Sequence, residues 1–230
     1  RLVIPFLLTL VVYAFVYSIS RSRLVGLLAA GGILLGLNLL LDPAALLQLL
    51  KLRTAAGQGL SYARPVSPQV HSLFLFCYLL LFWKWLQTRK RGFLIAASSV
   101  LGLSFYVYFY LWSFLFAGLG VAALLAIVRK DFSRLQWLIG HGIIAVLIAI
   151  PYSVNLIEFY RLPDAPFLGH LQGLVESRAV KFDLTLFVAV LTLLVAGKRL
   201  DRKLYGGLAV LLLAGFVAIN QQVLTGKELH

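Results

Sequence analysis

Eight apolar stretches alternate with polar breaks along this chain, near Leu2 to Ser20, Leu24 to Leu41, Val70 to Gln87, Phe93 to Tyr108, Leu111 to Val128, Trp137 to Ile157, Leu184 to Gly197 and Leu204 to Asn220. A helix of about 20 apolar residues crosses the hydrocarbon of a bilayer, and each stretch approaches or reaches that length. The run from Phe93 to Val128 exceeds one crossing, so it reads as a hairpin turning near Tyr108 to Leu111. The predicted fold class is all-α: a polytopic transmembrane helix bundle of about eight spans, with residues 1–230 forming a single transmembrane domain.

The breaks fall into two classes. Four short ones, Arg21 to Arg23, Thr88 to Gly92, Arg129 to Gln136 and Lys198 to Lys203, together hold twelve Lys and Arg. The alternating connections hold only seven in many more residues: Asp42 to Gln69, the turn near Tyr110, Tyr160 to Asp183, and the tail after Asn220. Basic residues concentrate in cytoplasmic loops, so the short breaks read as cytoplasmic and both ends of the chain as extracytoplasmic. In the first long outer loop, Asp42-Pro43 is a helix-start signal. Leu46, Leu47, Leu49 and Leu50 follow, then Lys51 and Arg53, which complement a helix C-terminus; this predicts a short helix lying along the outer interface. Gly57, Gly59, Pro65 and Pro68 then make an irregular approach to the third span.

Composition agrees, with 61% hydrophobic residues and a mean hydropathy of +0.94, against roughly half apolar for a soluble domain. The net charge of +13 would suggest nucleic acid in a soluble protein, but here the bases sit at the ends of apolar runs, where they anchor helices. Membrane lipids, not nucleic acid, are the expected partners, and the chain is expected to be integral to a membrane. The single cysteine, Cys77, lies within an apolar run and supports no intramolecular disulfide. The chain opens at Arg1, contains no methionine and stops at His230 in mid-loop, which reads as an internal piece of a longer protein.

Familiar metal, nucleotide and hydrolase signatures are missing from the sequence, so no cofactor is expected within these residues and a divalent metal elsewhere in the longer protein is left open. Candidate chemistry therefore rests on polar groups at costly depths. Arg64, Gln69 and His71 stand at the outer mouth of the third span; a guanidinium held by a proline-stiffened loop suits either a lipid-linked phosphate or a lipid headgroup. Tyr106, Tyr108, Tyr110 and Trp112 form either an interfacial aromatic belt or a groove for a sugar or isoprenoid chain. Asn155, Glu158 and Arg161 share one helical face above Pro151, which is placed to kink the sixth span, and Glu158 reads either as a site residue or as the ion partner of Arg161. Asn220, Gln221, Thr225 and Lys227 lie where the last span meets the outside, with a Thr-Gly-Lys turn suited to an anion or to a plain helix end.

The Arg-x-x-Ser-Pro-Gln stretch (Arg64 to Gln69), the Tyr-x-Tyr-x-Tyr-x-Trp hairpin (Tyr106 to Trp112) and the Asn-Gln-Gln-x-x-Thr-Gly tail (Asn220 to Gly226) resemble the C-type (GT-C) membrane glycosyltransferases. The resemblance implies many membrane helices, an outer-facing site with interfacial loop helices, and a polyprenyl-phosphate sugar donor transferred to an extracytoplasmic acceptor. On that reading Arg64, Arg178 or Lys227 would stabilise the phosphate leaving group. The catalytic acid of such enzymes lies in the first outer loop. The first complete outer loop here holds one acid, Asp42, read above as a cap, so no catalytic residue is carried over. Two other readings stand beside this one. A transporter or lipid flippase would need polar groups at mid-membrane depth, and a non-catalytic membrane subunit would pack through small residues such as Gly31, Gly32 and Gly36.

Overall fold

The computed structural model describes residues 3–41, 69–163, 174–176, 179–181, 184–197, 202–220, 223 and 227–229. Among them lie eight α-helices: α1 (Val3–Ser20), α2 (Arg23–Leu41), α3 (Gln69–Thr88), α4 (Arg91–Leu103), α5 (Phe109–Val128), α6 (Phe132–Tyr160), α7 (Leu184–Ala196) and α8 (Arg202–Ile219). A 3₁₀ turn, Ser104–Tyr106, follows α4, and two three-residue strands, β1 (Leu174–Glu176) and β2 (Lys227–Leu229), pair antiparallel with Leu174 opposite Leu229 and Glu176 opposite Lys227. The fold is helical, with one helix in each predicted apolar stretch. The predicted interfacial helix after Asp42 and the irregular segment before the third span lie outside the described residues.

Two boundaries differ from expectation. The hairpin break comes earlier, at Ser104 to Tyr108, because the chain wraps around Ser104: the amides of Val107 and Tyr108 both donate to its carbonyl at 3.2 Å, and its buried hydroxyl donates to Leu101 O at 2.6 Å. Tyr108 is then fully extended (φ −167°, ψ 134°) before α5 begins. The sixth helix starts at Phe132, not Trp137, because Asp131 Oδ1 accepts from the Arg134 amide at 3.0 Å and caps it. That helix has 29 residues and runs on through Pro151.

Four helices, α1, α3, α5 and α6, are long and apolar enough to cross a membrane. In the other four, the apolar part among the described residues is shorter. Large aliphatic side chains lie on the outside, Val195 80% exposed and Val128 71%, while the buried positions mix large apolar residues such as Leu8, Trp85 and Leu101 with Ser98, Ser104 and His141 and with the small Ala97, Ala145 and Ala214. An apolar exterior suits a hydrocarbon solvent, in which close helix approach and hydrogen bonds hold helices together. The hydroxyls follow the same logic: Thr9, Ser98, Ser153 and Thr192 each donate to the carbonyl four residues back, leaving no bare polar group on those turns.

The described chain divides into two compact units, residues 1–100 and 101–230. In the first, α1 packs against both α2 and α3. Leu8, Val12 and Ala30 form its buried centre, with Ile33, Leu73 and Phe76 around them. Gln87 Nε2 donates to Ser18 O at 3.4 Å, so α1 and α3 end side by side. In the second, α5 packs against α6 and α8, and α7 lies on α8.

Three tight turns share one design. Arg21, Arg89 and Lys130 all adopt the left-handed conformation (φ 57°, 57° and 55°) just past the ends of α1, α3 and α5. That geometry costs a non-glycine residue about 1–2 kcal/mol. It closes each helix with hydrogen bonds, among them Arg89 N to Trp85 O at 2.8 Å and the pair Lys130 N to Ile127 O and Asp131 N to Ala126 O. The cations also face the negative end of each helix dipole.

Candidate functional site at one end of the second unit

The second unit collects its aromatic and polar side chains at one end. Gly215 of α8 lies beside Phe114 near the start of α5, with a Cβ position 3.8 Å from Phe114 Cε2. Asn220, just past α8, bonds to Lys181, just before α7. The start of α5, the start of α7 and the end of α8 therefore meet. The upper part of α6 joins them through two contacts: Tyr106 Oη donates to Ile148 O at 2.9 Å, and Phe105 and Tyr106 both stand edge-on to Tyr152.

The carbonyl that Tyr106 reaches, Ile148 O, lies in the turn before Pro151. The proline supplies no amide for Leu147 O, and the Tyr106 hydroxyl donates to the next carbonyl along from the 3₁₀ turn. Directly below, Gly102 permits the approach, since a Cβ on it would stand 2.7 Å from Ile148 Cβ and 2.8 Å from Ala145 O.

Phe105 is the hub of the aromatic cluster. It stacks on Trp112 at 4.5 Å between centroids and meets Phe116 and Tyr152 edge-on at 5.5 and 5.7 Å. Trp112 is thus committed to packing, while Tyr106 and Tyr108 are 48% and 43% exposed and present their rings outward. Tyr110 lies in the first turn of α5. Above this level α6 continues from Tyr152 to Tyr160, about 12 Å of further rise. Asn155, Glu158 and Arg161 are exposed there. Glu158 and Arg161 form no ion pair with each other; what joins them is the backbone bond from Arg161 N to Glu158 O.

Asn220 is 8% exposed and works as a clamp. Its Oδ1 accepts from Lys181 N at 2.7 Å, and its Nδ2 donates to Lys181 O at 3.1 Å and to Phe216 O at 3.0 Å. Both polar groups of one residue are read by one amide, as a neighbouring strand would read them. The pairing of β1 with β2 continues the same tie, and sets Lys227 opposite Glu176. Arg64, Arg178, Gln221 and Thr225 lie outside the described residues. Gln69, buried, and His71, half-buried, occupy the first turn of α3 and belong to the first unit.

Two residues escaped the sequence reading. Phe105 looked like one more member of an aromatic run. His141 is fully buried in the lower half of α6; the signal for it was an ionisable residue between two glycines inside a long apolar run. Among the described residues no group of three or more His, Cys, Asp or Glu could hold a metal ion.

The described residues define a helical protein, four of whose helices are long and apolar enough to cross a membrane, as in an integral membrane protein. Compared with protein families, with characterised proteins and with solved structures, the chain matches none.

Proposed function

We propose that this chain is the membrane-embedded portion of a glycosyltransferase that moves a sugar from a polyprenyl-phosphate donor to an extracytoplasmic acceptor. The observation that supports it is the gathering of Tyr106, Tyr108, Glu158, Arg161 and the Asn220 clamp at one end of the second unit, away from the basic turn at Arg129 and Lys130. In this reading the exposed tyrosine rings lie along the isoprenoid or sugar, which present apolar faces with polar edges. A cation of the connecting segments, Arg64, Arg178 or Lys227, holds the phosphate and stabilises its charge as the sugar leaves. The acid that activates the acceptor comes from outside this chain.

The orientation that goes with this function places the basic turns in the cytoplasm and the aromatic end outside, in a bacterial inner membrane with eight helices inserted. In a Cys77→Ser background, cysteines introduced at Arg91 and Lys203 should resist an impermeant thiol reagent added from outside, and one at Gln172 should react. The reverse labelling pattern would overturn the orientation.

Binding tests the function. In the complete protein in detergent, Arg64→Ala should weaken polyprenyl-phosphate binding about tenfold or more, because a charge-assisted hydrogen bond is worth about 1.5–3 kcal/mol. Arg64→Lys should fall between, keeping the charge but losing the planar two-pronged fork. Equal binding by wild type and Arg64→Ala at matched folding and ionic strength would return Arg64 to headgroup anchoring and remove the phosphate site.

A further inference from the structure

From Phe116, at the edge of the aromatic cluster, an open groove of about 470 Å³ runs between α5 and α6 toward the Arg129-Lys130 turn. Its floor is made of small residues, Gly120 and Ala123 from α5 and Gly142 from α6, and its wall is the ridge Ile139, Ile143 and Leu147. A Cβ on Gly120 would meet nothing within 4 Å, so the space above it is empty of protein. The lining runs from Leu138 to Leu147 along α6, a rise of about 14 Å. That is close to half of the roughly 30 Å hydrocarbon thickness, the depth of one leaflet. The groove is apolar along that whole length and open on one side, so an acyl chain can lie in it over the depth of one leaflet.

The mouth of the groove carries charge. Arg134 sits one turn below Leu138 on the same helical face. Its Nε is buried and lies 3.5 Å from Asp131 Oδ2, an ion pair without a hydrogen bond. No hydrogen bond to protein from its other guanidinium nitrogens occurs among the described residues, so donors remain for an outside anion. Arg129 and Lys130, both exposed, flank it in the turn, and Asp131 is the one acid between them. The mouth is cationic and the channel beyond it is apolar throughout.

We infer that this groove binds one acyl chain of an anionic glycerophospholipid from the leaflet carrying the basic turns, with the lipid phosphate held at Arg134 and the Arg129-Lys130 turn. A basic pocket between helices at headgroup depth attracts anionic lipid by charge, and the channel fixes the chain by contact. The site rests on the membrane placement of α5 and α6 alone, so it stands or falls separately from sugar transfer at the other end.

Native mass spectrometry of the full chain released from detergent tests it, with dioleoyl phosphatidylglycerol, dioleoyl phosphatidylcholine and inorganic phosphate as probes. Wild type should bind phosphatidylglycerol about fivefold more tightly than phosphatidylcholine. Arg134→Gln should erase that preference. Gly120→Leu, which fills the channel without striking a neighbour at Cβ, should weaken both lipids alike; Ile143→Ala, which removes wall contacts, serves if the leucine variant does not fold, and should weaken both in the same way. Inorganic phosphate at equal concentration should not displace the lipid. Equal affinity for the two lipids in wild type, unchanged lipid binding in the channel variants, displacement by phosphate alone, or a lipid-free dimer that Gly120→Leu dissociates would each overturn the assignment, the last giving the groove to a second copy of this chain.

Discussion

Gly102→Leu should lower the unfolding midpoint of the protein in detergent by about 6–12 °C, the shift expected for a loss of about 3 kcal/mol in a chain of this size. The cause is local. The first atom of any side chain at this position meets Ile148 Cβ and the Ala145 carbonyl closer than real Cβ contacts come, and neither is the end of a flexible group. The end of α4 must then move away from α6, taking the Ser104–Tyr106 turn and the Tyr106 hydrogen bond with it. Gly206→Ala supplies the opposite sign. A Cβ there meets nothing within 4 Å, and replacing glycine by alanine inside a helix gains up to about 1 kcal/mol in propensity. Its midpoint should stay level or rise. Identical melting of Gly102→Leu and wild type would show that α4 does not end against α6 at Ala145 and Ile148.

Asn220→Asp should destabilise the tie between α7 and α8 more than Asn220→Ala, although aspartate is the closer mimic in shape. Aspartate keeps an oxygen for the Lys181 amide but turns two donor contacts, to Lys181 O and Phe216 O, into facing oxygens. Alanine removes the three side-chain bonds, each worth about 0.5–1.5 kcal/mol net, while Phe216 O keeps the Asn220 backbone amide; aspartate loses the two donor bonds as well and adds a poorly solvated charge facing two carbonyl oxygens, which should bring its cost to about 3–5 kcal/mol. Hydrogen exchange at Val180 and Lys181 reads this directly, with the order of protection wild type, then alanine, then aspartate. Protection at wild-type level in the aspartate variant would mean that the clamp does not hold that segment.

The helices were legible because an apolar run of this length has few other solutions, and each of the eight stretches contains one. Their ends were legible where a cation or a proline broke the run and obscure where a polar side chain stayed inside the helix. Ser133, Arg134 and Gln136 interrupt the apolar pattern before Trp137, and so hid the first turn of α6, yet the capping Asp131 was in plain view. The candidate site was legible only as residue types. Tyr106 and Asn220 were singled out for ligand contacts, and the structure finds their polar atoms engaged with backbone carbonyls and amides, a use that depends on Ile148 and Lys181, far away in sequence. Phe105 gave no sequence signal that separated it from its apolar neighbours, since what distinguishes it is the geometry of packing, whereas His141 carried one, an ionisable ring between two glycines in an apolar run.

The short turns that begin with a left-handed cation also govern how the chain is made. Only residues 21–22, 89–90 and 129–131 separate the paired helices, and each turn carries one or two cations. In a bilayer, moving each such charge through the centre costs about 2.5–3.5 kcal/mol on insertion scales. The turn therefore stays on the side from which it is delivered, and a connection of two or three residues cannot let one helix settle while its mate lags outside. For the packed neighbours, α1 with α2 and α5 with α6, this favours insertion as hairpins, so a ribosome stalled within the second member of such a pair would strand the first without the helix it packs against.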